Sequence, residues 1–374
     1  MSDSRPVLFV TNYAPAFRRG AFAALHASEN VEFALIGGAV RHGGSVAAEA
    51  PMPFPTRAVA QNDVFALAAS GRYRCVVAGL SGRLAPAGAY LGARHAGVPF
   101  VLWATLWAHP VTPAHLLSYG PVRFLYSRAD AVVTYGHHVS AYVRSRGARG
   151  PVVEAPQSVD NEFWSARVDG CRHAGFQATY VGRLEREKGV DVLIDAWRAA
   201  GLGDSGLVLA GDGPLRSTTA AGASGDALDS AAARRSPRTS GVLLTGALAA
   251  EDVRRLYAGS DVVIVPSVRT RSFREPWGLT VNEAFNQGVA VVASNEVGAV
   301  AGGLVRDQET GLVVTAGERA SLVAALRRLR ADSELRSRLG GAGRAEIQNY
   351  SHTAWAAGFT RALAVVGTAR AVVA

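Results

Sequence analysis

The segment YVGRLEREKGVDVLIDAW, residues 180–197, contains the pattern on which the fold prediction rests. It begins inside a short apolar run, ATYVG, that ends at Gly182. After a charged turn, apolar residues recur at helical spacing, at Val190, Leu193, Ile194 and Trp197. A buried strand followed at once by an amphipathic helix is the repeating unit of a parallel sheet covered by helices.

The same alternation continues on both sides of this segment. Apolar runs rich in β-branched residues precede it in VLFVTNY, VEFALIGG, CVVAGL, PFVLWATLW, AVVTYG and PVVEAP. Others follow it in LVLAGDG, VLLTGA, DVVIVPSV, AVVASN and GLVVTA. Because 374 residues exceed what one ordinary hydrophobic core holds, two domains are expected. The sequence predicts an α/β protein with two tandem Rossmann-like doubly wound domains and a cleft between them.

Proline, glycine and polar residues cluster in PQSVDNEFWSARVDGCRHAG, residues 156–175, which is typical of a linker. We therefore expect an N-terminal domain over residues 1–165 and a C-terminal domain over residues 166–350. Residues 216–240 are rich in Ala, Ser, Gly and Arg and are predicted to form a solvated insertion in the second domain.

The end of the chain, residues 351–374, contains Trp355, Phe359 and Leu363 at i, i+4 spacing. This spacing predicts a closing helix, which we expect to pack back toward the N-terminal domain.

The formal net charge of +9 comes from 39 Lys plus Arg and 30 Asp plus Glu residues. It divides into 14 minus 9 over residues 1–165 and 25 minus 21 over residues 166–374, so both halves are mildly basic. This spread favours an anionic ligand or an anionic membrane face as partner, and it disfavours nucleic acid. The stretch RRGAFAALHA, residues 18–27, is a basic edge that could meet such a membrane.

Cys75 and Cys171 lie far apart and outside any metal or redox spacing, so we expect reduced thiols. The start MSDSRPVLFVTNY lacks the pattern of a signal peptide. The apolar run VPFVLWATLWA, residues 98–108, has about half of the length that crosses a bilayer. These features predict a cytoplasmic protein that could lie peripherally at the inner face of a membrane.

Lys188 is the only lysine of the chain. Together with Arg183 it lies in the turn before a predicted helix N-terminus, where the helix dipole disfavours cations. A bound phosphate would reverse this, since helix N–H groups and an ammonium both attract it, and Arg183 would add a forked contact. The alternative is that Arg186 and Lys188 are solvated and pair with Glu185 and Glu187.

A second group lies in REPWGLTVNEAFNQG, residues 274–288, after the predicted buried strand DVVIVPSV. Glu275 precedes a predicted helix that begins near Leu279, and Glu283 lies about one turn inside it. This arrangement fits a nucleotide sugar, with Glu275 on sugar hydroxyls, the backbone N–H groups of Leu279 and Thr280 on the diphosphate, and Glu283 on the ribose. The alternative is a helix counter-charge and a surface acid.

The motifs GRLEREKG, LAGDGP at residues 209–214 and EPWGLTVNEA resemble the signature set of the GT4-type retaining glycosyltransferases of GT-B fold. This resemblance covers about residues 175–315, and a TNYAPAFRRGAF opening with an APQSVDNEFW linker extends it along the chain. Gly211 and Gly278 fall inside these motifs and are expected in the donor site.

The resemblance implies a role for each charged residue of the two motifs. Arg183 and Lys188 would bind the donor diphosphate, Glu283 the ribose, and Glu275 the donor sugar, while the N-terminal domain would bind the acceptor. In similar enzymes a histidine near the place of His109 touches the donor sugar. The alternative for His109 is a partly buried structural histidine. The expected catalytic set is thus Glu275, His109, Arg183 and Lys188.

The turn NYAPAFRRG departs from the glycine-rich loop that many relatives carry after the first strand. Gly20 comes late in this turn, which puts a glycine contact to phosphate in doubt. Arg18 or Arg19 could bind a phosphate or an acceptor anion instead, or could be solvated.

The sequence contains no Asp-x-Asp motif and no cluster with metal-ligand spacing. We therefore expect no metal and no cofactor, with Arg183, Lys188 and helix N-termini neutralising the leaving group. The resemblance implies retaining transfer, with the acceptor attacking on the face from which the diphosphate departs.

These expectations describe transfer of a hexose-type sugar from a UDP- or GDP-linked donor to a glycan, lipid or small-molecule acceptor. A sugar-nucleotide epimerase or a glycan phosphorylase of the same fold stays open, and so does a nucleotide-sugar binding module without turnover. Release of nucleoside diphosphate only when an acceptor is added would separate the three. The sequence does not identify the acceptor, the donor sugar or the oligomeric state.

Overall fold

The computed structural model describes residues 4–37, 52–173, 175–216 and 241–373. The chain divides into two compact units. The first comprises residues 1–160 with 351–374, and the second comprises residues 161–350. Most of the predicted insertion, residues 217–240, lies outside the described residues.

The first unit is built on a parallel sheet. Seven described strands form it in the order β3-β2-β1-β4-β5-β6-β7. Their bounds are β1 Val7–Thr11, β2 Val31–Leu35, β3 Thr56–Ala58, β4 Cys75–Gly79, β5 Phe100–Ala104, β6 Ala131–Thr134 and β7 Val152–Glu154. The central strands β1 and β5 are buried along their whole length, as their uninterrupted apolar runs require in a sheet covered on both faces.

Helices follow most strands of this sheet. Their bounds are α1 Ala16–Glu29, α2 Val64–Ala68, α3 Ala85–His95, α4 Pro113–Arg128 and α5 His137–Ser145, and a 3₁₀ turn covers Gln61–Asp63. The strand order reverses between β1 and β4, which both lie near the middle of the sheet. In doubly wound sheets such a reversal leaves a crevice at the carboxyl ends of the two strands.

The second unit repeats this plan. Six described strands form a parallel sheet in the order β10-β9-β8-β11-β12-β13. They are β8 Gln177–Val181, β9 Gly206–Ala210, β10 Gly241–Gly246, β11 Val262–Val265, β12 Ala290–Ser294 and β13 Leu312–Val314. Here the order reverses between β8 and β11. The prediction of two tandem doubly wound α/β domains is therefore confirmed at the level of both sheets.

The helices of this unit are mostly short. They are α6 Asn161–Ser165, α7 Val190–Ala200, α8 Ala250–Ala258, α9 Leu279–Asn286, α10 Gly298–Ala301, α11 Arg319–Ala331 and α12 Ser333–Glu346, with 3₁₀ turns at Arg186–Lys188 and Ile347–Asn349. The apolar positions predicted from the opening segment, such as Val190 and Leu193, are fully buried on α7.

The division between the units falls after Asp160, five residues before the expected boundary at 165/166. The reason is that α6 packs within the second unit. The Asn286 side-chain amide donates to Asn161 Oδ1 at 2.9 Å, and the Trp164 ring lies 5.9 Å from the Tyr257 ring. Helix α6 therefore belongs to the second core.

The closing helix α13, His352–Val373, belongs to the first unit and contacts α1. Its rings enter the core of that unit: Trp355 lies 5.6 Å from Phe22, and Phe359 lies 5.4 Å from Phe9. The hydrophobic core of the first unit is thus built from both ends of its sequence.

Helix α1 does not present the basic edge that RRGAFAALHA indicated. Arg18, Phe22 and Leu25 are buried, because this side of the helix packs inward against the core and α13. None of the described helices combines the length and the apolar composition that crossing a membrane requires.

Candidate functional site

The turn that carries Lys188 is held close to the end of β11. Gly189 ends the 3₁₀ turn Arg186–Lys188 with a left-handed φ of 67°. A Cβ at this position would also overlap the carbonyl oxygen of Pro266, so only glycine allows the approach. The backbone N–H of Val268 donates to the carbonyl of Glu187 at 2.9 Å, which fixes the turn against the segment after β11.

This approach brings Lys188 and Glu275 together. The Lys188 ammonium lies 2.5 Å from a carboxylate oxygen of Glu275, and Ser267 donates its hydroxyl to the same oxygen at 3.0 Å. Both charged side chains are largely buried, with 17% and 10% of their surfaces exposed. The ammonium also lies 4.8 Å from the centroid of the Phe273 ring. The pair therefore lies at the reversal point of the second sheet, since Lys188 follows β8 and Glu275 follows β11.

Arg183 lies in the same turn but has a different partner. Its guanidinium binds Glu185 at 2.6 Å and is about half exposed. Burial raises the pKa of Glu185, and the hydrogen bond with Glu187 adds to the rise. The carbonyl of Arg183 accepts from the Tyr180 hydroxyl at 2.6 Å, which fixes the backbone of the turn. Glu185 thus pairs with Arg183. The alternative that Lys188 is solvated and pairs with Glu185 or Glu187 is wrong, since Lys188 is largely buried and pairs with Glu275.

Helix α9 begins beside the same strand end. Its N-cap residue Gly278 has a left-handed φ of 90°, and no side chain caps the described helix start. Thr280 donates its hydroxyl to the carbonyl of Val181, the last residue of β8, at 3.2 Å. The N-terminus of α9, with Leu279 as its first residue, is therefore tied to the strand that leads into the Lys188 turn.

Glu283 lies one turn further along α9. The Tyr257 hydroxyl on α8 donates to its carboxylate at 2.9 Å, and Tyr257 itself is fully buried. Burial raises the pKa of Glu283 to about 7, and the hydrogen bond from Tyr257 acts in the opposite direction. Burial also raises the pKa of Tyr257, which keeps this hydroxyl protonated as a donor. Glu283 is thus a positioned carboxyl group that changes charge near neutral pH.

Gly211 follows β9 and contacts the same edge of the sheet. Its N–H donates to the carbonyl of Gly246 at 2.8 Å, and a Cβ at this position would overlap the carbonyl oxygen of Gly182. The carboxyl ends of β8, β9 and β10 therefore approach one another through backbone alone. This close approach of two backbones explains the glycine at residue 211, and its role in the donor site stays a prediction.

In the first unit, His109 follows β5 and packs against α4. Its Nε2 lies 2.6 Å from the carbonyl of His115, and its ring lies 5.0 Å from the ring of Tyr119. The described contacts of His109 are therefore with the start of α4. They agree with the structural alternative and do not test a role toward a donor sugar.

Arg18 is 3% exposed and is surrounded by aromatic rings. Its guanidinium lies 5.1 to 5.6 Å from the ring centroids of four side chains, which are Phe17, Trp103, Tyr135 and Trp355. Nη2 donates to the Tyr135 hydroxyl at 3.2 Å, whereas Nη1 has no hydrogen-bond partner in the described structure. Burial lowers the pKa of this guanidinium. Arg18 is thus neither solvated nor neutralised by a described carboxylate.

The other candidates in the turn NYAPAFRRG lie next to the four rings around Arg18, which we call the aromatic cage. Arg19 is partly exposed on the following position of α1. Gly20 faces the imidazole of His352, and a Cβ at residue 20 would overlap that ring. The packing of α1 against α13 explains the glycine, so no phosphate contact is needed to account for it.

Two residues of the site were not singled out from the sequence. Ser267 holds Glu275, and Tyr257 holds Glu283. The sequence position of Ser267 could have indicated a site residue, because a polar residue directly after the buried run DVVIVP lies at the carboxyl end of a strand. Tyr257 had none, since an aromatic residue at helical spacing is ordinarily a core residue. Over the described residues, no group of three His, Cys, Asp or Glu side chains is arranged to hold a metal ion.

The chain is similar in sequence and fold to known glycosyltransferases. Residues 175–332 match the family model for glycosyl transferases group 1. The chain is 33% identical over 190 residues to the D-inositol 3-phosphate glycosyltransferase of Salinispora arenicola, covering 49% of this chain and 39% of that protein. It is 34% identical over 121 residues to the sulfoquinovosyl transferase SQD2 of Arabidopsis thaliana, covering 32% and 22%. The matched segments thus span well under half of these relatives.

Solved structures share the fold across nearly the whole chain. The Anabaena protein HepE, solved with UDP, superposes with a TM-score of 0.72 at 17% identity, covering 96% of this chain and 100% of that one. Sucrose-phosphate synthase from Thermosynechococcus elongatus superposes with a TM-score of 0.71 at 18% identity, covering 98% and 100%. The fold is that of the GT-B glycosyltransferases, and residues 175–332 are similar to the glycosyl transferases group 1 family.

Proposed function

We propose that this chain, through its glycosyl transferase group 1 domain, transfers a hexose-type sugar from a nucleoside-diphosphate sugar to an acceptor. The observation that carries the proposal is the Lys188–Glu275 ion pair beside the uncapped start of α9. A cation, a carboxylate and the N-terminus of a helix meet at the reversal point of the second sheet. A diphosphate joined to a sugar offers complementary groups, because its phosphate oxygens suit the cation and the helix N-terminus and its sugar hydroxyls suit the carboxylate.

In this proposal the donor exchanges partners with the ion pair. Lys188 turns from Glu275 toward a phosphate oxygen, and Glu275 is released to accept from sugar hydroxyls while Ser267 continues to hold it. The exchange gives Lys188 a phosphate as its new counter-ion and replaces the ammonium at Glu275 with hydrogen bonds from sugar hydroxyls, so neither charge is left buried without a partner. Backbone N–H groups of Leu279 and Thr280 address the diphosphate, and the exposed guanidinium of Arg183 adds a second cation.

Glu283 accepts hydrogen bonds from the vicinal hydroxyls of the ribose. Its bond with Tyr257 fixes the carboxylate and occupies one of its oxygens, which leaves the other for the ligand. This role favours a ribonucleotide donor such as a UDP- or GDP-linked sugar. The HepE structure contains UDP, which supports a uridine nucleotide as the first probe.

The reaction proposed is a retaining transfer without a metal ion. An acceptor hydroxyl attacks the anomeric carbon, the bond from that carbon to the diphosphate oxygen breaks, and the hydroxyl proton passes to the departing diphosphate on the same face. Lys188, Arg183 and the start of α9 offset the growing charge of the leaving group, a contribution of several kcal/mol in preorganised sites. The acceptor is a glycan, a lipid or a small molecule.

The first test is a thermal-shift panel of UDP, GDP, ADP and their sugar conjugates. We expect one nucleotide family to raise the melting temperature of the wild type, because a ligand that binds only the folded state stabilises it. The same ligand should give a much smaller shift with Lys188→Met. If no nucleotide raises the melting temperature, the donor site is wrong.

The second test follows the bound donor with a panel of acceptors. Release of nucleoside diphosphate that depends on an acceptor supports transfer, and proton NMR of the product should show the anomeric configuration of the donor. The same release should persist in excess EDTA. Donor binding without any acceptor-dependent release would favour a binding module, and an inverted product would contradict same-face attack.

A further inference from the structure

Exposed large apolar side chains are concentrated in one part of the first unit. Among the described residues nine such side chains are exposed, and seven of them lie between residues 65 and 124. The seven are Phe65, Leu84, Leu91, Val111, Leu116, Leu117 and Phe124. Single exposed leucines are common on protein surfaces, but a cluster of them indicates a binding surface.

Five of these residues lie on or at the start of two helices that touch each other. Leu117 is 84% exposed and Leu116 is 61% exposed on α4, while Leu84 and Leu91 occupy one exposed stripe of α3. The helices meet where the ring of Phe124 packs edge-on against the ring of Tyr90 at 5.5 Å. We call the surface formed by Leu84, Leu91, Leu116, Leu117 and Phe124 the α3–α4 face.

The charged side chains of α3 and α4 have one sign. Residues 64–129 contain no Asp or Glu and six arginines, of which Arg72 and Arg74 are paired with Glu32 and Glu29 away from these helices. Arg83 precedes α3, and Arg123 and Arg128 lie on α4, with the Arg128 guanidinium 5.8 Å from the Phe124 ring centroid. Asp130, just beyond this stretch, is neutralised by Arg94 at 3.0 Å.

We propose that the α3–α4 face docks on a membrane surface that carries anionic lipid headgroups. Leucine and phenylalanine side chains suit the boundary between headgroups and acyl chains, and arginines around them suit anionic headgroups. A second copy of the chain fits less well, because pairing two such faces would bring arginines of both copies together. Nucleic acid fits less well too, since phosphates offer nothing for the aliphatic side chains.

The face differs from the basic edge that the sequence indicated on α1, which packs inward. Docking would be peripheral, because the same two helices keep their other sides, with Ala89 on α3 and Leu125 on α4, buried in the first unit. The proposal concerns binding alone and does not depend on glycosyl transfer, so either can fail without the other.

The test is co-sedimentation of the full chain with vesicles of phosphatidylcholine, with and without phosphatidylglycerol. We expect the wild type to bind the anionic vesicles and to be released by added salt, a measurement that needs no variant. Leu117→Asp should weaken binding at least tenfold. The double variant Arg123→Gln/Arg128→Gln should weaken it roughly fivefold per arginine.

Matched controls lie elsewhere on the same unit. Val365→Asp places the same charge on an exposed apolar position of α13, and Arg144→Gln/Arg149→Gln removes two exposed arginines near α5. Both should bind like the wild type. The proposal is overturned if the wild type ignores anionic vesicles, or if Leu117→Asp binds normally. It is also overturned if the control variants lose as much vesicle binding as Leu117→Asp. A further contrary result would be light scattering that shows Leu117→Asp only separates a dimer.

Discussion

Both sheets reverse their strand order near the middle, and each places a largely buried cation after the first of its two reversal strands. In the second unit Lys188 follows β8 and is paired with Glu275 at 2.5 Å. In the first unit Arg18 follows β1 and lies among four aromatic rings, without an ion-pair partner among the described carboxylates. Equivalent positions of the two sheets therefore hold a buried cation in two ways, by an ion pair in the second unit and by aromatic rings in the first.

The two surroundings give the two cations different capabilities. An ion pair can exchange its partner, because a phosphate can replace the carboxylate beside Lys188 while sugar hydroxyls donate to the released Glu275. A guanidinium held by rings and one hydroxyl keeps its full charge under a desolvation cost, which lowers its pKa. Four predictions test this comparison, in order of decreasing expected effect.

The largest effect is expected from breaking the ion pair. Lys188→Met should lower kcat/KM by about a hundredfold, because it removes a positioned cation and leaves the Glu275 carboxylate facing the diphosphate. Steady-state kinetics measure this, with Arg198→Met on the exposed side of α7 as the control. The partner-exchange mechanism predicts that adding Glu275→Gln to Lys188→Met costs less than the product of the two single effects. Fully multiplicative losses would contradict it.

The second prediction concerns the cation in the aromatic cage. Arg18→Lys should reduce the free energy of unfolding by about 2 kcal/mol, because a strongly hydrated ammonium cannot stack on the rings as a planar guanidinium does. Arg18→Met should cost less than Arg18→Lys, since it removes the buried charge altogether. Denaturant unfolding measures both. If lysine is tolerated better than methionine, a counter-charge or a bound anion holds this site instead of the rings.

The third prediction uses the carboxyl group of Glu283, whose pKa is raised to about 7. The carboxylate is the form that accepts from ribose hydroxyls, so affinity for UDP-glucose should fall about tenfold between pH 8 and pH 6. The free protein should behave in the opposite sense. A raised folded-state pKa gives stability that is present at low pH and lost as pH rises toward about 7.

Calorimetric titration at several pH values measures this affinity. UDP-glucose is the suitable ligand because its diphosphate diester does not titrate in this range. Glu283→Gln should bind more weakly and with a flat profile. A wild-type profile as flat as that of Glu283→Gln would remove Glu283 from the nucleotide site.

The smallest effect is expected at Ser267, which holds Glu275 and does not contact the ligand. Ser267→Ala removes one hydrogen bond to a carboxylate at 3.0 Å, and a loss of about fivefold in kcat/KM corresponds to roughly 1 kcal/mol. The effect should vanish in a Glu275→Gln background. Equal effects of Ser267→Ala in both backgrounds would show that Ser267 acts elsewhere.

Local patterns were sufficient to predict most strands and the class of the fold. All six strands of the second sheet coincide with predicted apolar runs, and only β3 of the first sheet was missed. The sequence TRA of β3 is short and exposed, so it carries neither an apolar run nor an alternation. The boundary error at α6 has a similar origin, because packing on Asn286 and Tyr257 decides which core receives that helix.

The sequence indicated candidate site residues, and it did not indicate the partners that these residues have in the structure. Lys188 and Glu275 are 87 positions apart, and their meeting depends on β8 lying next to β11, an order that no local pattern contains. The cage of Arg18 draws on Trp103, Tyr135 and Trp355, which are distant in sequence. Solvation, a bound anion or burial among rings were equally compatible with the turn NYAPAFRRG alone.

The closing helix α13 has a consequence for the order of folding during synthesis. The second unit is contiguous in sequence and can complete its core once residue 350 has left the ribosome. Trp355 and Phe359 emerge later. Until then, Phe9 and Phe22 in the first unit lack the rings that cover them in the folded protein. We therefore expect the earlier-translated unit to be the later one to mature, and nascent chains stalled before α13 to depend on chaperones.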